Sequence, residues 1–240
     1  MMKNTLLITA TDTETGKTVL TTALIAYWQT YCQSRRLGVI KPIQSGVGDR
    51  ERYSQLFSLD QSSEEINPIY FEAPLAPPVA AELENRLIDL APVWSTFLKL
   101  QSQRDFVIVE ALGGLGSPIT NELIVADLAR DWQLPTVLIV PVKLGAIANA
   151  VANVALARQM GVHLRGIILN CPQPITTEEV QQLAPIDLIQ SLTQTPILGV
   201  IPYLDNLDDI TILAKTAAHL ELEQLMPQEN VWRARQLSEA

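Results

Sequence analysis

Gly16-Lys17-Thr18 is the stretch whose residue types and order most directly specify chemistry. A turn ending in glycine, then an ammonium, then a hydroxyl, closes a phosphate-binding loop. Backbone N–H groups surround phosphate oxygens, the lysine adds a point charge, and the threonine hydroxyl reaches a divalent cation. The full stretch, residues 10–18, reads ATDTETGKT. Thr11 stands where the general pattern has its first glycine, and Thr13 and Glu14 carry side chains that can touch a second substrate.

Other chemical groups fall at the ends of apolar runs. Lys41 ends Gly38-Val39-Ile40, and Glu110 ends Phe106-Val107-Ile108-Val109. Lys17, Lys41 and a helix N-terminus together make a cationic centre, which phosphoryl transfer needs because negative charge spreads over the transferred group. Thr18, Asp49 and Glu110 offer the oxygen ligands that Mg²⁺ favours, with Glu51 competing with Asp49 for that role. Ser45 and Gly46 let a hydroxyl and bare backbone approach a small substrate. Lys143-Leu144-Gly145 precedes an alanine-rich helix and forms a second anion site by the same N-terminal argument. His163 and His219 have no partner motif and read as structural. The four tryptophans share no spacing and read as packing or surface residues.

Strands and helices must alternate to bring these groups together. Strands are expected at 5–9, 38–41, 106–110, 136–140, 166–170 and 197–201, with a shorter extended piece at 69–71. Helices are expected at 19–26, 51–59, 93–103, 121–132, 146–160 and 208–226, with a helical turn at 79–85. Residues 44–49 and 113–118 read as loops, 60–67 as polar turn, and the four prolines of 68–78 as an irregular wall. The pattern predicts an α/β, single-domain, P-loop NTPase-like fold: a mostly parallel sheet of about seven strands with helices on both faces. Ligands in such sheets sit at the carboxyl ends of the strands. The domain is expected to span 1–226, with a polar tail over 227–240.

Bulk properties narrow the function classes. The chain has 240 residues, 48% hydrophobic and 18% charged, ordinary for one globular enzyme domain. Its net charge of −9 leaves no basic face for nucleic acid. Two cysteines, Cys32 and Cys171, suit neither a disulfide framework nor a zinc site. With no signal-peptide pattern and no apolar run of about 20 residues, the expectation is a cytoplasmic protein without membrane contact.

Five motifs together resemble the ATP-dependent dethiobiotin synthases. They are ATDTETGKT, VIKPIQSG (39–46), Val109-Glu110 before a Gly-Gly loop, VKLGAI (142–147) and IPYL (201–204). Their order and spacing match, and the resemblance covers about 5–204. It implies that 7,8-diaminopelargonic acid, CO₂ and ATP with Mg²⁺ give dethiobiotin, ADP and phosphate, through a carbamate and its anhydride with phosphate. On this resemblance Lys41 and Lys17 are the catalytic lysines, and Thr18, Asp49 and Glu110 the Mg²⁺ set. The nucleotide would contact Glu14, Thr15, Gly16, Lys17, Thr18 and Val19, then Ala111, Leu112 and Gly113. Its base would lie against Asn170, Cys171, Pro202, Tyr203 and Leu204. The diamine would meet Thr13, Lys41 and Ser45. Gly145, Ala146 and Ile147 would reach it across a homodimer interface.

Four positions depart from the family pattern. Ala10 replaces a usual glycine, Ala111-Leu112 replaces Gly-Ala, Ala148 replaces an asparagine, and the segment around Asp49 is short. Two other readings share the sheet. A ParA/MinD-like partitioning ATPase would carry an early lysine in its loop, where this chain has Thr11, Asp12 and Thr13. A cobyrinate-type amide synthase would need a glutaminase domain for which 240 residues leave no room.

Overall fold

Alternation decides which way each strand faces. The computed structural model describes residues 4–227. In β1 (Thr5–Ala10) all six residues are buried; Leu6, Ile8 and Ala10 enter one core, and Leu7 enters the opposite one. Burial on both sides is the mark of a central parallel strand. The chain continues through α1 (Lys17–Tyr31), β2 (Leu37–Ile40), β3 (Ile43–Ser45), α2 (Asp49–Leu56), α3 (Ser63–Ile66) and β4 (Ile69–Phe71). Next come α4 (Pro77–Leu83), α5 (Ala91–Gln103), β5 (Phe106–Gly114), α6 (Val125–Asp131), β6 (Thr136–Pro141) and α7 (Ala146–Gln159). Last are β7 (Leu164–Asn170), α8 (Thr177–Leu183), α9 (Ile186–Thr193), β8 (Ile197–Ile201), α10 (Ile210–Ala218) and α11 (Leu222–Leu225).

Six strands form one parallel sheet in the order β2-β5-β1-β6-β7-β8. α1, α10 and α11 cover one face; α5 and α6, then α7 to α9, cover the other. The expected count of about seven strands is therefore corrected to six, with β3 and β4 paired separately. Pro42 accounts for the split. It has no N–H to donate, so the chain leaves the sheet after β2 and re-pairs beyond it, Ser45 opposite Phe71.

Other boundaries move for local reasons. β5 runs on through Gly114, but only by a bulge: Ile8 pairs with Glu110, whereas Ala10 pairs with Gly114. The polar stretch 60–67 holds α3, started by a Ser62/Glu65 capping box. Thr176 and Glu179 make the same box at α8, where no element was expected, and α9 is likewise new. The helix expected from residue 121 begins only at Val125, because Thr120 Oγ1 first holds the N–H of Leu123 in a turn. The single helix expected over 208–226 is two, broken where the Glu221 N–H donates to the Leu198 carbonyl of β8 at 2.8 Å. Residues 228–240 of the expected tail, with Trp232, lie outside the described residues. No helix among the described residues is long and apolar enough to cross a membrane.

Trp28 anchors the face that carries α1. It is 1% exposed, stacks on Phe106 of β5 with centroids 5.4 Å apart, and donates its indole N–H to the Arg35 carbonyl at 3.0 Å. Trp28→Ala is expected to destabilise the protein by about 3–5 kcal/mol, measured by urea unfolding followed by far-UV circular dichroism. A loss below about 1 kcal/mol would show that α1 does not depend on this contact.

Candidate active site

The phosphate loop connects β1 to α1 and is tied to its own backbone. Thr15 Oγ1 and Lys17 Nζ both donate to the Asp12 carbonyl, at 3.0 and 3.1 Å. Gly16 has φ 104°, in the left-handed region, and a Cβ there would collide with the side-chain amide of Asn170. Glycine meets both demands at once. Asn170, at the end of β7, donates from Nδ2 to the Thr15 carbonyl at 3.0 Å, so the far half of the sheet braces the loop. Glu14 is also left-handed, at φ 52°.

Register and parity bring two charged residues to the same place. β2 and β5 pair Ile40 with Val109, so Lys41 and Glu110 follow side by side. In β2, Leu37 and Val39 face the core that holds α1; in β5, Phe106 and Ile108 do the same. Two residues further on, Lys41 and Glu110 continue on that face. Their ion pair is 3.0 Å long, and Glu110 is 0% exposed. Asp49, the first residue of α2, is the second carboxylate bonded to Lys41. The Thr18 hydroxyl lies 2.7 Å from Asp49 Oδ1 and 3.2 Å from Glu110 Oε1. Thr21 and Tyr53 both donate to the other Glu110 oxygen, Oε2.

The charges on these groups follow from the pairing. Burial alone would push the Lys41 ammonium down, but Glu110 and Asp49 outweigh it and hold its pKa above the usual lysine value. Burial works against Asp49 as a carboxylate too, and the charge and hydrogen bond of Lys41, with the Thr18 hydroxyl, overcome it and keep its pKa low. For Lys17, burial dominates and lowers the pKa; Lys41 adds to that, and Glu110 and Asp49 oppose it.

Glu51, the competing acid, faces elsewhere. It accepts from the Gly48 N–H at 3.0 Å, Gln44 Nε2 at 3.0 Å and Arg50 Nη2 at 2.7 Å. Against the opposing effect of burial, these bonds pull its pKa down to about 2. Glu51 therefore fastens the turn before Asp49, and Asp49 is the acid beside Thr18.

A cavity of about 580 Å³ opens over this cluster, bordered by Thr13, Lys17, Lys41, Ser45, Asp49 and Leu112. The segment 74–77 walls its far side. Ser45 Oγ is buried there without a hydrogen-bond partner. A second cavity, about 750 Å³, is bordered by Cys171, Pro202, Tyr203 and Leu204. Asn170 sits at the phosphate loop, and Val19 packs half-buried against the α1 core. Other expected contacts, Gly113 among them, border neither cavity. Ala111 is buried with Leu115 and Ile119, because alternation along β5 puts it on the face of Val107 and Val109, opposite Glu110. Gly145 and Ile147 border a third, apolar hollow at the start of α7, and Ala146 is buried beneath them.

Thr21 and Tyr53 were not among the sequence candidates. Helix spacing points to them: Thr21 is three residues after Thr18 on α1, and Tyr53 four after Asp49 on α2, so each shares its partner's face. Among the described residues no three His, Cys, Asp or Glu side chains converge as a metal cage. The convergent donors are instead one hydroxyl and two carboxylates, an all-oxygen set.

A family model described as an AAA domain matches residues 4–211. The ATP-dependent dethiobiotin synthetase BioD of Gloeothece citriformis (strain PCC 7424) is 60% identical over 222 residues, covering 92% of this chain and 98% of the relative. The protein of the same name from Crocosphaera subtropica (strain ATCC 51142 / BH68) is 59% identical over 221 residues, covering 92% and 99%. Among solved structures, the MinC:MinD cell division protein complex of Aquifex aeolicus aligns over 99% of this chain and 96% of that one, with a TM-score of 0.55 and 16% identity. That likeness extends to the fold alone. Sequence identity at this level, over 92% of the chain, makes the chain a member of the ATP-dependent dethiobiotin synthetase family.

Proposed function

We propose that this chain closes the ureido ring of dethiobiotin, converting 7,8-diaminopelargonic acid, CO₂ and ATP to dethiobiotin, ADP and phosphate. The observation that carries the reading is that Lys17 and Lys41 open into one cavity although they come from different strand ends. The reaction must bring a carbamate up to a triphosphate, and two anions meet only where positive charge is already fixed. The Lys41 pairing with Glu110 and Asp49 holds its ammonium in place before substrate arrives.

In this reading Lys17 and the backbone of 14–19 bind the phosphates. The nucleotide base extends past Asn170 to the second cavity, beside Cys171, Pro202, Tyr203 and Leu204. One amine of the diamine takes up CO₂ and becomes a carbamate near Ser45, whose buried hydroxyl has a free hydrogen-bonding capacity. The carbamate oxygen attacks the γ-phosphate, with Lys41 against the charge that develops. The second amine then displaces phosphate and closes the ring. Thr18, Asp49 and Glu110 would hold Mg²⁺, whose chemistry here is to neutralise phosphate charge. Two carboxylates and a hydroxyl suit it, since Mg²⁺ takes oxygen ligands and few from protein.

A homodimer completes the reading. Leu144 is 89% exposed at the start of α7, and Val151, Leu188 and Leu192 are exposed near it on α7 and α9. An apolar surface of this kind suits a second copy. The α7 N-terminus at Gly145 would then meet the carboxylate of a diamine bound to the partner. Neither Cys32 nor Cys171 forms a disulfide, which suits the cytoplasm.

Purified protein supplied with Mg²⁺, ATP, bicarbonate and 7,8-diaminopelargonate should release ADP; release equal to a control without the diamine would end the assignment. Lys41→Ala should lower turnover on the order of 10²–10³-fold while ADP affinity by calorimetry changes little; unaltered turnover would remove Lys41 from the chemistry. Val151→Asp should shift the protein from dimer to monomer in sedimentation velocity, and a dimer persisting in the variant would place the interface elsewhere.

A further inference from the structure

Glu110 is a fully buried carboxylate with polar partners on both of its oxygens. Oε1 receives Lys41 at 3.0 Å and lies 3.2 Å from the Thr18 hydroxyl, both residues that line the first cavity. Oε2 receives Thr21 and Tyr53. A carboxylate rotating about its last bond would exchange the two oxygens. Two donors fixed on Oε2 from separate helices oppose that rotation. Tyr53 is itself 0% exposed and wedged among the apolar residues of the α1 core, so its hydroxyl has no freedom to follow a turning carboxylate.

We propose that Tyr53 is a positioning residue for the cation that couples nucleotide to this site: by holding Oε2 it makes Glu110 present Oε1 alone toward the cavity. This rests on the reading of Thr18, Asp49 and Glu110 as the cation's ligands. Tyr53 touches neither substrate nor cation. It lies one turn beyond Asp49 on α2, so a single short helix supplies one carboxylate and orients the other. Thr21 does the same work from α1, one turn beyond Thr18. The cluster is built as two hydroxyl–ligand pairs, each pair on one helix face.

The test is calorimetric titration of ADP with and without Mg²⁺ on the wild type, Tyr53→Phe, Glu110→Gln and the double variant, with thermal unfolding alongside. Phenylalanine keeps the ring in the core and removes only the donor. ADP affinity without Mg²⁺ should match the wild type in Tyr53→Phe, while the gain in affinity on adding Mg²⁺ should shrink roughly 3- to 10-fold. In the Glu110→Gln background, Tyr53→Phe should produce no further change, because the two act as one unit. Thr21→Val should shrink the gain in the same direction, and Thr21→Ser should restore it. A Tyr53→Phe protein with the full Mg²⁺ gain, whatever its unfolding temperature, overturns the proposal if Glu110→Gln has lost that gain. A Glu110→Gln protein that keeps the full gain overturns the ligand reading, and the proposal falls with it.

Discussion

Lys41 and Glu110 form a buried ion pair at the meeting of two neighbouring strands, and the geometry of the site depends on it. Neither charge would be tolerated there alone. An unpartnered ammonium or carboxylate at this depth would change protonation state or draw in water. Together, and with Asp49, each fixes the direction of the next. Glu110 aims Lys41, Lys41 anchors Asp49, and Asp49 starts α2. The phosphate loop closes the circle through Thr18, which meets both carboxylates. Positive charge is therefore set in place by the fold before any anion arrives.

Sheet order makes this possible. β2, β5 and β1 are neighbours in space although β5 follows β2 by more than sixty residues. Their carboxyl ends deliver Lys41, Glu110 and the phosphate loop to one edge, where ligands bind in open α/β sheets. Side-chain parity then selects the face. Leu37, Val39 and Lys41 share one side of β2, and Phe106, Ile108 and Glu110 the same side of β5. α1 covers that side, so its first turn lies over both charges.

Much of this was legible in the residues. The Gly16-Lys17-Thr18 loop, and the charges ending two apolar runs, identified the site's main parts. The parity that puts Lys41 and Glu110 on the α1 face could also have been counted from the alternation. Less legible were features set by tertiary partners. Ala111 follows Glu110 directly and reads as a site residue, yet it shares the face of Val107 and Val109 and packs into the core opposite α1. Tyr53 reads as an ordinary aromatic in a polar helix until β5 is laid beside it. The capping boxes at Ser62 and Thr176 were present as local patterns, but polar composition around them masked short helices. Gly145 and Ile147 lie away from the cavity, and one chain alone does not join them to it.

The central claim is that the two lysines serve one reaction centre. A crystal grown with 7,8-diaminopelargonic acid, Mg²⁺ and a non-hydrolysable ATP analogue tests it most directly. The account predicts that the γ-phosphate analogue contacts both ammonium groups, with the nearer nitrogen of the diamine on the Lys41 side. A phosphate held by Lys17 alone, with Lys41 turned away and the diamine bound elsewhere, would contradict it.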